Sequence, residues 1–390
     1  MRRLFTGIVL AFAVGSSVLF FNWAEDWAAR AQQQNLTRAQ DAEKEAPDQE
    51  LPRIDLKQRE LAAPKEVRDR LERRRREIKR KGLGYEIGVT SASDRPLPRP
   101  RLTSDDMKRT PESRRKQNIE AQKILESENI PTVEEILARR GQASVSTGSS
   151  IPGNSFVHNT GPATTGSCKS RTRFLYTRDR GEVPPIRDQE SCGSCWAFAG
   201  AGVVDSSYRI RYDRTSNIAE QELIDCAGGF ANGAINGCDG FFIESTMFHF
   251  QFNRVAWENR YPYTGRDSGT CRNPPWSYRI STWGWVGIGW ATKNEIKDAL
   301  CRYGPVATTL EVTEDFRDYT GGVFADKPKS SYGPIPTTNH AVLIVGWDDD
   351  KGAWRIRNSW GTGWGENGAA WIKYNHNGIG WNTVWAVAKN

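Results

Sequence analysis

The chain of 390 residues predicts an α+β fold, with a helical half facing a half built of antiparallel strands. Three observations carry this. All seven cysteines and 13 of the 15 tryptophans fall after residue 167, which marks the second half as the packed, cross-linked one. Within that half, helix-like stretches come first, at 196–212, 219–226 and 241–252, separated by glycine-rich loops. Beyond about residue 280 the texture is strand-like, at 282–288, 306–312, 341–347, 353–358, 370–374 and 384–388, with one helix at 294–303 between them. Helices followed by strands read as two facing layers.

Taken in order, the chain starts with Arg2 and Arg3 and then an apolar run at 4–21. This is an export signal. Ala29-Arg30-Ala31 matches a cleavage site, giving a signal segment 1–31, but the run is also long enough to span a bilayer, with Trp23 and Trp27 at its outer edge. A cleaved signal and a retained anchor both stay open, and membrane contact through residues 4–21 goes with the second. Either way the globular part lies outside the cytoplasm, where disulfides persist. Residues 32–99 alternate in charge, densest at Arg73–Arg76, and read as a spacer, either a solvated helix or disordered. No aromatic residue is interleaved in the charged part, so no nucleic-acid partner is expected. The proline-rich Arg95–Arg101 is an extended linker. In 100–168, Ser104 or Asp105 caps a helix to about Ser127, and a second helix runs from Pro131 to Arg139, stopped by Gly141. Residues 142–167 are an extended strap. The domain 169–390 carries 25 Lys and Arg against 24 Asp and Glu, a surplus of one, which gives a phosphate-binding role no support there.

Chemistry concentrates at 189–198, Gln-Glu-Ser-Cys-Gly-Ser-Cys-Trp-Ala-Phe. A thiol opening an apolar helix feels unpaired N–H groups and the positive end of the helix dipole, which favour thiolate. The odd number of cysteines leaves at least one unpaired; six paired with one reactive, or four paired with three free, both fit. A thiol nucleophile needs a base. His249 sits in an apolar helix and reads as a core histidine, and His376 lies in a turn-like Asn-His-Asn. His340 opens a strand, and Asn358 ends the next. If those strands are antiparallel neighbours, the Asn carbonyl can accept the imidazole N–H and fix the ring.

The blocks Gln189-x-x-Cys192-Gly-Ser-Cys195-Trp-Ala-Phe, Asn339-His340-Ala-Val and Asn358-Ser-Trp360-Gly-x-Gly-Trp364-Gly resemble papain-family cysteine peptidases, over about residues 171–390. His340 and Asn358 lie 145 and 163 residues beyond Cys195. Further blocks fit as well, among them Tyr261-Pro-Tyr263. The resemblance implies a two-lobed fold with the cleft between the lobes, and an exported bacterial enzyme, secreted or membrane-anchored. It implies peptide-bond hydrolysis through a Cys195 thioester, with polypeptide substrates and no cofactor or metal. His340 is then general base and acid, Asn358 orients it, Trp360 shields that hydrogen bond and adjoins substrate, and Gln189 serves the oxyanion hole. Disulfides Cys192–Cys238 and Cys226–Cys271 are implied, leaving Cys168 and Cys301 to pair or stay free.

Gly240, Phe241, Phe242, Thr309 and Ala341 align with substrate-binding positions and suggest an apolar preference. Two departures stand out. Phe241 replaces a usual glycine and either narrows the groove or turns outward, and Glu190 replaces another glycine. The family's inhibitory prodomain is expected at 100–168, as an intramolecular partner whose strap crosses the cleft. Rival readings are a silent peptide-binding relative and an acyltransferase using the same thioester.

Overall fold

The computed structural model describes residues 56–98, 110–146, 168–227, 237–272, 274–275 and 277–390. The apolar run at 4–21, the cleavage site and the strap beyond residue 146 lie outside these residues. Among the described residues no helix is long and apolar enough to cross a membrane.

The helical lobe is built around α5 (Cys195–Tyr212), with α6 (Glu220–Cys226) and α7 (Ile243–Phe252) beside it. Helix α5 is buried on nearly every face, as its run of apolar and small residues predicts. It packs on α7 and across β6 and β9. The contact with α7 is close enough that a Cβ at Gly200 would sit 2.1 Å from Thr246 Oγ1. The sheet runs β1 (Tyr85–Ile87), β5 (Tyr319–Phe324), β8 (Ala369–Lys373), β7 (Ala353–Arg357), β6 (His340–Asp348), β4 (Val306–Leu310), β9 (Trp381–Lys389), β3 (Arg279–Trp285), with β2 (Arg173–Leu175) on the far end of β6. Only β5–β8 is parallel. Strand β6 is buried at every position, which explains its unbroken apolar reading. Leu343 pairs with Arg357, so β6 and β7 are antiparallel neighbours and bring His340 and Asn358 to one rim, as expected.

The N-terminal region departs from expectation. The stretch 32–99, read as a spacer, is folded from Leu56 onward into α1 (Leu56–Ala62), α2 (Lys65–Lys81) and β1. Gly82, at φ +62°, closes α2 in the left-handed conformation that glycine adopts without strain. Much of α2 stays a solvated, charge-laced helix, but two of its arginines reach the second half of the chain. Arg74 binds Asp315 in fork geometry at 2.9 and 2.6 Å, and Arg70 reaches Asp318 at 2.8 Å. Strand β1 then adds antiparallel to β5.

Helices α3 (Pro111–Ser127) and α4 (Val133–Ser146) exist as predicted but differ in extent. Thr110 caps α3, accepting from the Ser113 N–H, with Pro111 at the first helical position. Helix α4 runs through Gly141. Neither helix crosses the cleft. Side-chain amides of α3 complete the open edge of β3: Gln117 Nε2 donates to Trp283 O, and Asn118 exchanges bonds with Trp285 N and O. A disulfide, Cys168–Cys301, fastens the chain behind α4 to α8 (Lys293–Tyr303).

Candidate active site

Cys195 opens α5 as the one unpaired cysteine of the seven. The other six form Cys192–Cys238, Cys226–Cys271 and Cys168–Cys301, so the alternative with three free thiols drops out. His340 opens β6, where its ring is buried, and Nε2 lies 2.7 Å from Asn358 Oδ1. The Ser359 N–H donates to that same Oδ1 at 2.9 Å. The atom is therefore the amide oxygen, Nε2 carries the ring proton, and Nδ1 is left unprotonated and without a hydrogen-bond partner. Trp360 lies on the imidazole, centroids 4.7 Å apart, and walls the pair from water. Gln189 is clamped: Nε2 donates to Cys192 O at 2.7 Å, and Oε1 accepts from Ser359 Oγ at 2.6 Å. One N–H of its amide stays unspent.

Burial pushes the Cys195 thiol up to about 11, against main-chain hydrogen bonds from Ala341, Trp196 and Cys195 that favour thiolate. Burial likewise pulls the His340 imidazole down to about 4; the Asn358 bond opposes this, and the positive charge of Arg95 adds to it. Burial thus favours the neutral thiol and the neutral imidazole over the charged pair.

A covering segment, residues 88–98 downstream of β1, lies against the Trp360 side of this rim. Thr90 Oγ1 donates to Arg317 O, Ser91 Oγ to Trp360 O, and Ser93 Oγ to Asp318 Oδ1. Arg95 pairs with Asp188 at 2.8 Å, and Asn339 Nδ2 donates to Pro98 O. A strap does lie beside these side chains, formed by 88–98; the strap expected at 142–167 lies beyond residue 146, outside the described residues. The linker reading of Arg95 missed this because the anchoring residues are short polar ones with no periodic signal.

The remaining predicted residues divide between the lobes. Thr309 and Ala341 face each other across β4 and β6, and the Thr309 hydroxyl donates to Trp381 O. Gly240, Phe241 and Phe242 follow the bridged Cys238 on the helical side. Phe241 does not turn outward: it stands half-buried, edge-on to Trp196 at 5.4 Å and 5.3 Å from Phe242. His249 is buried inside α7, as a core histidine should be. His376 sits at a turn near the sheet. Sequence reasoning gave no role to Ser359, or to Tyr263, whose hydroxyl donates to Gln189 O at 2.6 Å. Both lie in blocks quoted for the resemblance.

Glu190 has φ +54°, the left-handed region, which accounts for the glycine usual there. Glu190→Gly is expected to stabilise the fold by about 0.5–1 kcal/mol, read as a higher urea midpoint at unchanged slope.

A family model described as papain family cysteine protease matches residues 172–387, more than half of the chain. The chain belongs to the papain family. Other papain-family proteins align over the same half. The thiol protease aleurain of Arabidopsis thaliana is 36% identical over 188 residues, 47% of this chain and 51% of aleurain. Pro-cathepsin H of Mus musculus is 36% identical over 183 residues, 46% and 53% of the two chains. The chain thus spans about half the length of the curated relatives it matches. Among solved structures, one from work on the mite allergens Blo t 1 and Der p 1 shares 30% identity at TM-score 0.52, covering 58% of this chain and 73% of its own. Digestive procathepsin L 3 of Tenebrio molitor covers 91% and 98% at TM-score 0.56; at 20% identity this is a likeness of fold.

Proposed function

We propose that the chain is an exported thiol endopeptidase held inactive by its own residues 56–98. The observation that carries the reading is the fixed tautomer of His340: Asn358 Oδ1 takes the Nε2 proton, and Nδ1 is left to serve a lone cysteine thiol at a helix start. Once the cleft opens to water, the burial that keeps both groups neutral is relieved, and the proton of Cys195 passes to Nδ1. The thiolate attacks the peptide carbonyl. Its oxygen takes up negative charge between the Cys195 N–H and the unspent N–H of Gln189. Imidazolium then gives its proton to the departing amine, leaving a thioester. Water, deprotonated by His340, cleaves the thioester and restores the thiol. Phe241, Phe242, Thr309 and Ala341 would favour an apolar side chain upstream of the cleaved bond, with Gly240 supplying main-chain contact.

The strand pairing of β1 with β5 and the anchors of 88–98 support self-inhibition, and the names pro-cathepsin H and procathepsin L 3 among the relatives fit a zymogen. In this division 56–98 is the inhibitory segment, α3 and α4 cover the sheet edge, and the catalytic domain is 169–390. Three disulfides favour an oxidising compartment. Export through 1–31, cleaved or kept as an anchor, and a bacterial source remain part of the proposal.

The test is thiol reactivity against pH. In the full-length chain, Cys195 is expected to react slowly with iodoacetamide from pH 5 to 8 and to quicken only as pH climbs towards 11, because the thiol stays protonated below that. After proteolytic removal of the cover, epoxide and iodoacetamide labelling should become fast at neutral pH. Fast labelling of the intact chain at pH 6 would overturn the role given to the cover. No labelling after its removal would overturn the enzyme reading.

A further inference from the structure

Asp188 sits one residue before Gln189 and is held rigidly. It forms an antiparallel bridge with Trp360, the Gly361 N–H donates to Arg187 O, and the Glu190 N–H donates to Asp188 Oδ1 at 2.8 Å. Its carboxylate is partly open, and Arg95 of the cover occupies it, Nη2 at 2.8 Å. The Arg95 main chain is itself fixed, its carbonyl accepting from Arg317 Nη1 at 3.1 Å. Yet Arg95 Nη1 is buried without an acceptor. Asp188 therefore satisfies part of this guanidinium and leaves Nη1 unpaired.

Resting on the endopeptidase reading, we propose that Asp188 is a subsite for an arginine or lysine side chain on the leaving-group side of the scissile bond. The side follows from the chemistry. His340 must hand a proton to the departing amine, so the substrate beyond the cleaved bond lies towards His340 and Trp360. Asp188 is bridged to Trp360 and stands on that side, whereas Phe241 and Phe242 belong to the other lobe. The domain 169–390 is nearly neutral, so the Asp188 carboxylate next to Gln189 is not part of a general acidic surface. In the covered state the strap presents Arg95 to this site, and its removal frees the site for a substrate cation.

The experiment uses the full-length chain after its own activation, with active sites titrated by epoxide. Paired quenched peptides differ only in Arg or Gln at the first or second residue after the cleaved bond. At one of these positions kcat/KM should favour Arg by about three- to tenfold at low salt. The ratio should decline as salt rises, a measurement that needs no variant. In Asp188→Asn it should fall towards one, and in Asp188→Lys a Glu peptide should overtake the Arg peptide. Equal cleavage of both peptides by the native chain overturns the proposal alone. So does a preference that survives Asp188→Asn, or an Asp188→Asn that only hastens activation. Cleavage of neither peptide overturns the endopeptidase reading and this one with it.

Discussion

Cys195→Ala is expected to abolish peptide cleavage, by on the order of 10⁴-fold or more, while leaving the three disulfides and the thermal transition in place. The loss should be total because no neighbouring group can replace the thiolate. The neighbouring hydroxyl, Ser194 Oγ, is engaged with the Tyr263 hydroxyl at 3.0 Å. A graded companion sharpens the test. Gln189→Ala removes one of the two proposed oxyanion donors and should cost about 10²–10³ in kcat. It also releases Ser359 Oγ and Cys192 O from their partners, so some loss of stability should accompany the kinetic one. Comparing kcat with the thermal midpoint in Gln189→Ala and Ser359→Ala separates the two: Ser359→Ala loosens the clamp but keeps the donor. Equal losses of kcat in both would mean that Gln189 acts only by holding the loop.

What the residues made legible was the part fixed by dense local signals. The helix at 195–212, the strand beginning at His340 and the order of the blocks between them place Cys195 and His340 at the starts of elements whose unbroken apolar runs are plain. The cover was not legible, for three physical reasons. Arg70, Arg74 and Arg75 read as a solvated charge run because their partners Asp318, Asp315 and Glu60 are recruited across the fold or from another helix. Strand β1 has only three residues, too few for alternation to register. Strand β5, its partner, contains Gly321 and Gly322, which depress a strand reading although the pairing depends on them. The same logic applies to Glu190. A departure from glycine was visible, but the left-handed backbone that makes it consequential is a property of the folded loop.

Gly322 is where the cover should be easiest to dislodge. Its φ of +84° already favours glycine, and a Cβ built there would lie 2.3 Å from Gly84 O and 3.0 Å from Tyr85 Cα. Both are main-chain atoms of the segment that carries β1, so no side chain can swing aside. The strain of the positive φ is shared by the covered and uncovered states and cancels between them. The clash exists only in the covered one. Overpacking of this kind costs about 1–3 kcal/mol, which shifts the balance between covered and open forms by roughly five- to 150-fold. Gly322→Ala should therefore raise the labelling rate of Cys195 in the full-length chain at neutral pH by that factor. Stability should fall as well, since β5 must carry alanine in a conformation suited to glycine. Asp315→Asn offers a route to the same end without backbone strain, because it removes the charge that Arg74 grips and that the Tyr85 hydroxyl donates to at 2.8 Å. If both substitutions speed labelling, the β1–β5 pairing and the Arg74 anchor hold the cover jointly. If Gly322→Ala leaves labelling as slow as before, residues 88–98 stay seated by their own contacts with Arg317, Trp360 and Asp188, and the strand pairing does not latch the cover.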